Sequence, residues 1–326
     1  MRNAKHAREL MRSTKPFARE VAWRSWWHFW STLAVLASLL AITCFDIFWV
    51  LRLGVSILAG LTMVRMFIVF HDHQHGTILR GSTLADIILW MIGMLLLTPR
   101  SVWRHSHDYH HHRNARIQAT GIGTFPLMTT QAFAQASWWR RLAYAVSRHP
   151  LTILAGYLTI FIFGMCIYPL LLRPRKHLDS ALALVIHVAL VTALAIFAPG
   201  VLLWTLMVPL GLATALGSYL FYAQHNFPDA HFQDATSFDF FTAALTASSY
   251  IPMNPVMRWF TGNIGYHHVH HLNARIPFYR LPEAMAQLKI LQSPGKTSLG
   301  PIGIYRCLRL KLWDADKQRL VNFAGV

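Results

Sequence analysis

Histidine is concentrated in three short stretches: His71-Asp72-His73-Gln74-His75, Trp103-Arg104-His105-Ser106-His107-Asp108-Tyr109-His110-His111-His112 and Asn263-Ile264-Gly265-Tyr266-His267-His268-Val269-His270-His271. The last two each contain His-x-x-His-His, and in only one frame: His107, His110, His111 and His267, His270, His271. Positions i, i+3 and i+4 of a helix fall within an arc of ~100°, so each triplet presents three imidazoles to one side. His71 and His75, about one turn apart, can converge likewise, whereas His73 and His268 stand out of frame and point elsewhere. Neutral imidazoles brought together in this way are ligands for a transition metal. A histidine run can also be a solvated low-complexity tract or an adventitious metal trap, but two copies with identical spacing argue against that. Eight such side chains exceed what one ion uses, since zinc takes about four ligands and an octahedral ion at most ~six, so two metal positions are expected.

These side chains must be placed by an unusual chain. Of 326 residues only 13% are charged and 54% are hydrophobic, and the mean hydropathy is +0.36, which excludes disorder, collagen and coiled coil. The net charge is +17, as expected of a protein that meets nucleic acid or a membrane surface, and the apolar content selects the membrane. Cys44, Cys166 and Cys307 are too few and too far apart for a disulfide framework and read as small buried hydrophobes. Arg2, Lys5, Arg8, Arg12, Lys15, Arg19 and Arg24 make residues 1–26 a basic, cytosolic lead-in rather than a signal peptide.

Apolar stretches over 27–45, 47–70, 181–198 and 201–222 are each near the ~20 residues a spanning helix needs, and they form two hairpins. Arg52 and Arg65 lie close enough to the ends of the second to snorkel. Ligands of one site must emerge on one side of the membrane, so the stretches 84–98 and 150–172 are expected not to cross. The first is short for a span; a non-crossing second keeps Arg173-Pro174-Arg175-Lys176 cytosolic. The expected fold is an all-α integral membrane protein: four transmembrane helices, re-entrant or interfacial helices, and a cytosolic helical cap over 226–326 holding a di-metal site. Both termini are expected in the cytosol, in a bacterial cytoplasmic membrane or a eukaryotic endomembrane. His187, inside a span, is expected to make a neutral interhelical hydrogen bond. His28, His149, His177 and His231 read as surface or interface residues.

The three boxes resemble those of the integral-membrane fatty acid desaturases, of the form His-x3/4-His, His-x2/3-His-His and His/Gln-x2-His-His. The likeness covers about Ile68 to Leu281 and includes His71-Asp72-x-x-His75-Gly76, Trp103-Arg104-x-x-His107-x-x-His110-His111 and Ile264-Gly265-Tyr266-His267-x-x-His270-His271-Leu272. The three-residue gap in the first box resembles the acyl-lipid (delta-12 and omega-3) branch. His267 in place of Gln, and the lack of His-Pro-Gly-Gly, differ from front-end desaturases with a fused cytochrome b5. The resemblance implies a ninth ligand, His225, in Gln224-His225-Asn226 after the last span, while Phe221 stands where the acyl-CoA branch has an Asn. It further implies two irons, dioxygen as co-substrate, and an acyl-lipid or acyl-CoA substrate given a cis double bond. Zinc is a foreseeable expression artefact. Asp72 and Asp108 are candidates for orienting the ligand N–H groups.

A hydroxylase or ketolase acting on a lipid or carotenoid uses the same histidine framework and stays an alternative, although Asn273-Ala274-Arg275-Ile276-Pro277-Phe278-Tyr279-Arg280-Leu281 looks like the desaturase pattern. A membrane metal transporter or sensor is a remoter one, since such sites lie near the membrane midplane. The sequence carries no flavin or dinucleotide fingerprint and no iron–sulfur cysteine set, so electrons are expected from an external ferredoxin-type or cytochrome b5-type donor. It would be steered by Arg275, Arg280, Lys289, Lys296, Arg306, Arg309, Lys311, Lys317 and Arg319.

Overall fold

The computed structural model describes residues 9–117, 125–234, 236 and 238–325. Four helices in it are long and apolar enough to cross a membrane: Ala22–Thr43, Trp49–Gln74, Leu178–Phe197 and Pro199–Ala223. Their limits differ from the sequence expectation by a few residues, and one difference bears on the site. The second helix runs past Phe70 to Gln74 because nothing breaks it before Gly76, whose φ of +65° suits glycine and ends the turn. His71 and His73 therefore ride on the spanning helix itself, and His75 is its C-terminal cap.

Trp49–Gln74 is the central element, packed along both Ala22–Thr43 and the last span. Its crossing with the last span is close at Gly60, where an added Cβ would lie 2.7 Å from the Pro209 carbonyl. Pro209 cannot donate an N–H, and the helix runs π-wound over Leu202–Met207 just before it.

The stretch expected to be re-entrant is a helix over Thr83–Leu95, capped by Ser82, whose hydroxyl accepts the Ala85 N–H at 3.2 Å. The chain then bends by 89° into Arg100–Arg113. Leu97 in the left-handed region (φ 56°) and Pro99, which restricts Thr98, make that corner. The other short stretch divides into Pro150–Leu154 and an apolar helix over Tyr157–Leu172.

Three expectations are corrected. Arg52 and Arg65 do not snorkel: they are 8% and 2% exposed because oxygens on neighbouring elements lie within reach. Arg52 Nε donates to the Thr43 carbonyl at 2.8 Å. Arg65 Nε donates to Thr32 Oγ1 at 2.9 Å, Nη1 donates to the Trp259 carbonyl and Nη2 lies 3.0 Å from His28 Nδ1. Cys166 and Cys307 are buried, but Cys44 is exposed, since the first span ends just before it. The helical fold is as expected, with one minor sheet: Met128–Thr129 pairs parallel with Leu312–Asp314, which pairs antiparallel with Arg319–Val321. Lys311 does not belong to an exposed basic tail, because it is 8% exposed and donates to the Arg148 carbonyl. His187 meets the Tyr157 hydroxyl of a neighbouring helix, as its place in a span suggests.

Candidate metal centre

Four elements converge at one end of the spans. Trp49–Gln74 delivers His71 and its cap His75, and Arg100–Arg113 delivers His107, His110 and His111. The last span ends at Ala223, two residues before His225, and the six-residue helix His267–Leu272 delivers His267, His270 and His271. This short helix is set by the strand-like pairing of Ile251 N–H with the Gly265 carbonyl at 2.9 Å. A Cβ at Gly265 would lie 2.5 Å from the Ile251 carbonyl, so the close approach requires glycine.

The nine histidines fall into two groups. His71, His75, His107, His111 and His270 form one, and His110, His225, His267 and His271 the other, the candidate ligand atoms of each lying within 4.8 Å of one another. Seven are buried and two, His75 and His225, half-buried. In the first group Nε2 atoms lie 2.8 Å (His71–His107), 3.1 Å (His107–His111) and 3.0 Å (His111–His270) apart. In the second the separations are 3.2 Å (His110–His271), 2.9 Å (His225–His267) and 3.0 Å (His267–His271).

These contacts test whether a metal fits. An imidazole Nε2 carries either one proton or one lone pair. His107, His111, His267 and His271 each face two other Nε2 atoms, which hydrogen bonding cannot satisfy throughout the chain. A cation at the centre satisfies all of them. At a metal–nitrogen distance of ~2.0–2.2 Å, adjacent ligands of an octahedral ion sit ~2.8–3.1 Å apart and those of a tetrahedral one ~3.3–3.6 Å. The contacts between neighbouring rings, 2.8–3.2 Å, lie close to the first kind, and five histidines in one group already exceed a tetrahedral set. Burial, reinforced by neighbouring histidines, holds His267, His270 and His271 well below the ordinary imidazole range, so they are neutral and their lone pairs are available.

The surrounding contacts sort the remaining candidates. Asp72 Oδ1 lies 2.9 Å from His71 Nδ1 and Oδ2 accepts the Phe278 N–H at 2.7 Å, so one buried carboxylate orients a ligand ring and anchors the segment after the third box. Asp108, also one residue after a box histidine, has no such place: its side chain is exposed. His225 Nδ1 donates to the Ala247 carbonyl at 2.9 Å, fixing its Nε2 toward the group. His73, out of frame, turns to Asp86 Oδ1 at 3.1 Å, and Arg100 holds the same carboxylate at 3.0 Å. His268 Nε2 donates to the Leu291 carbonyl at 3.0 Å. Phe221 packs on the His110 ring at a centroid distance of 4.9 Å.

Sequence reading passed over Asp86, Asn226 and Arg148. Asp86 meets partners 13 and 14 residues away and Asn226 meets partners 78 to 84 away, Arg148 among them, and none of the three lies in a repeated motif, so no local signal marks it.

The comparisons agree with this geometry. The family model described as Fatty acid desaturase matches residues 47–293. A protein of Bacillus subtilis named Fatty acid desaturase is 29% identical over 293 residues, covering 88% of this chain and 82% of its own. The Delta(12)-fatty-acid desaturase FAD2 of Vernicia fordii is 25% identical over 273 residues, covering 77% of this chain and 67% of its own. With four apolar spans, three histidine boxes brought to one place and a family match over most of its length, the chain belongs to the fatty acid desaturase family.

Proposed function

We propose that this protein is a dioxygen-dependent acyl desaturase, a single membrane domain whose two histidine groups each hold one iron. The observation that carries the reading is the partition of nine histidines into a set of five and a set of four, the candidate ligand atoms of each within 4.8 Å of one another. Iron suits such a donor set, and when bound with dioxygen it supplies an oxidant strong enough to take hydrogen from an unactivated methylene, which redox-silent zinc does not. The balance is simple: two hydrogens leave adjacent carbons, two electrons and two protons come from outside, and one dioxygen becomes two waters.

The chain's own residues keep the ligands neutral and aimed. Asp72 holds His71, the Ala247 carbonyl holds His225, and the rings of Trp103 and Phe221 wall the site. The site lies at the ends of the second and fourth spans rather than in mid-membrane, which favours an enzyme over a transporter. The basic lead-in puts this end, with both termini, on the cytosolic side. There a ferredoxin-type or cytochrome b5-type donor meets the exposed basic residues Arg275, Lys289, Lys296, Arg306, Arg309 and Arg319, without Lys311. The substrate is an acyl chain in lipid or CoA linkage.

The test is the fatty acid profile of a host expressing the chain. A new cis double bond supports the reading and gives its position. A hydroxylated product in its place would move the protein to the hydroxylase alternative, and an unchanged profile with metal bound and a donor supplied would refute desaturation.

A further inference from the structure

Beside the four-histidine group lies a small cleft of about 60 Å³ that opens to solvent. His110, His225 and Phe221 line it, and so do Arg113, Arg116 and Arg148. Arg148 is only 2% exposed. Its guanidinium donates to the carbonyl of Pro126 at 2.7 Å, to the Tyr222 hydroxyl at 3.2 Å, to the carbonyl of Leu310 at 3.4 Å and to Asn226 Oδ1. Every one of these acceptors is neutral. Its Nε is buried and has no partner among the described residues. Lys311, also buried, is held by a neutral oxygen too, the Arg148 carbonyl. Arg148 in the cleft wall and Lys311 behind it are thus withdrawn from water with no carboxylate among their hydrogen-bond partners in the described residues, an arrangement that is costly unless an anion completes it. The metal chemistry makes no use of either.

We propose that this cleft is a phosphate site that seats the head of the acyl substrate, with the chain running past Phe221 toward His110 and His225. The proposal rests on the desaturase reading and adds to it a means of holding the substrate's head. An acyl group in ester or thioester linkage has lost its carboxylate charge, so the anion left on its carrier is phosphate, whether of a phospholipid or of a CoA-type thiol. Arginine forks suit phosphate geometry, and the apolar walls suit the first methylenes. Arg148 is fixed in advance by its four acceptors, so binding does not have to order it.

The experiment is calorimetric binding to the full chain in uncharged maltoside detergent, with four probes: dihexanoyl phosphatidylglycerol, palmitoyl-CoA, neutral monopalmitoyl glycerol and inorganic phosphate. At least one phosphate-bearing amphiphile should bind about tenfold or more tightly than the neutral glycerol, as one charge-assisted contact implies. Preference for phosphatidylglycerol assigns a lipid source, and preference for palmitoyl-CoA a thioester source. Arg148→Gln risks the fold because Arg148 ties several elements, so the deciding variant is Arg116→Gln at the half-buried lip. It should weaken the phosphate-bearing amphiphile about tenfold and leave the neutral glycerol unchanged. Equal binding of neutral and phosphate-bearing amphiphiles, an unaffected Arg116→Gln, or binding of inorganic phosphate with neither amphiphile would each overturn the proposal. Turnover is not read here, so a chain that binds as expected but forms no double bond in a host would sink the reaction and spare the site.

Discussion

The two histidine groups are built from the same boxes and differ in how completely they are closed. The five-histidine group is walled on one side: His71, His107, His111 and His270 are buried and His75 is half-buried, Trp103 stacks on His107 at 4.7 Å, and Asp72 is locked behind His71. The four-histidine group has one histidine fewer, and two of its members, His110 and His225, line the cleft. A surplus of ligands on one side and an open approach on the other suggest that the first position is mainly held and the second is the more accessible to an incoming molecule.

The largest test of that contrast is loss of a ligand. His107→Ala and His270→Ala should each abolish product in an expressing host while the protein stays in the membrane. Metal retention after washing with a mild chelator should separate the groups. His267→Ala leaves three ligands and should cost one metal per chain, while His75→Ala leaves four and should keep nearly two. Equal retention in the two variants would remove the asymmetry.

Next in size is the contrast between frames. His73→Ala and His268→Ala remove side chains bonded to Asp86 and the Leu291 carbonyl, not to the groups. They should lower stability by about 1–3 kcal/mol through lost hydrogen bonds and cavities, read as a fall in melting temperature, and leave metal content intact. Depletion of metal equal to that in His107→Ala would show that helical spacing misassigned the ligands.

Much of this was legible in the sequence because the relevant signals are local. Three, four and seven are distances a helix translates into faces, so His107, His110 and His111 announce themselves, and ~20-residue apolar stretches announce the spans. What was not legible depends on distant partners. Nothing near Arg65 forecasts the Trp259 carbonyl that holds it, and nothing near Lys311 forecasts Arg148. Asp72 and Asp108 look alike in sequence, each one residue after a ligand. They part only because the Phe278 N–H meets one and water the other.

That pair gives a smaller prediction. Asp72→Asn should weaken metal retention in the five-histidine group by about tenfold, the usual cost of losing a carboxylate behind a ligating histidine. Asp108→Asn should match the parent in metal content. A reversed order would contradict the assigned contacts. Smallest at the site, though not for the fold, is Gly156→Ala. Its Cβ would lie 2.1 Å from Ser218 Oγ and 2.9 Å from the Thr214 carbonyl, where the chain crosses the last span. Purified yield and melting temperature should fall, and whatever protein folds should keep both metals.

The central claim is that the nine histidines make two separate metal positions, and diffraction at the iron absorption edge tests it most directly. The account predicts two anomalous peaks per chain. One lies among His71, His75, His107, His111 and His270, the other among His110, His225, His267 and His271, with each coordinating nitrogen ~2.0–2.2 Å from its peak. A single peak shared by both groups, or a second peak that leaves His225 outside bonding distance, would contradict it.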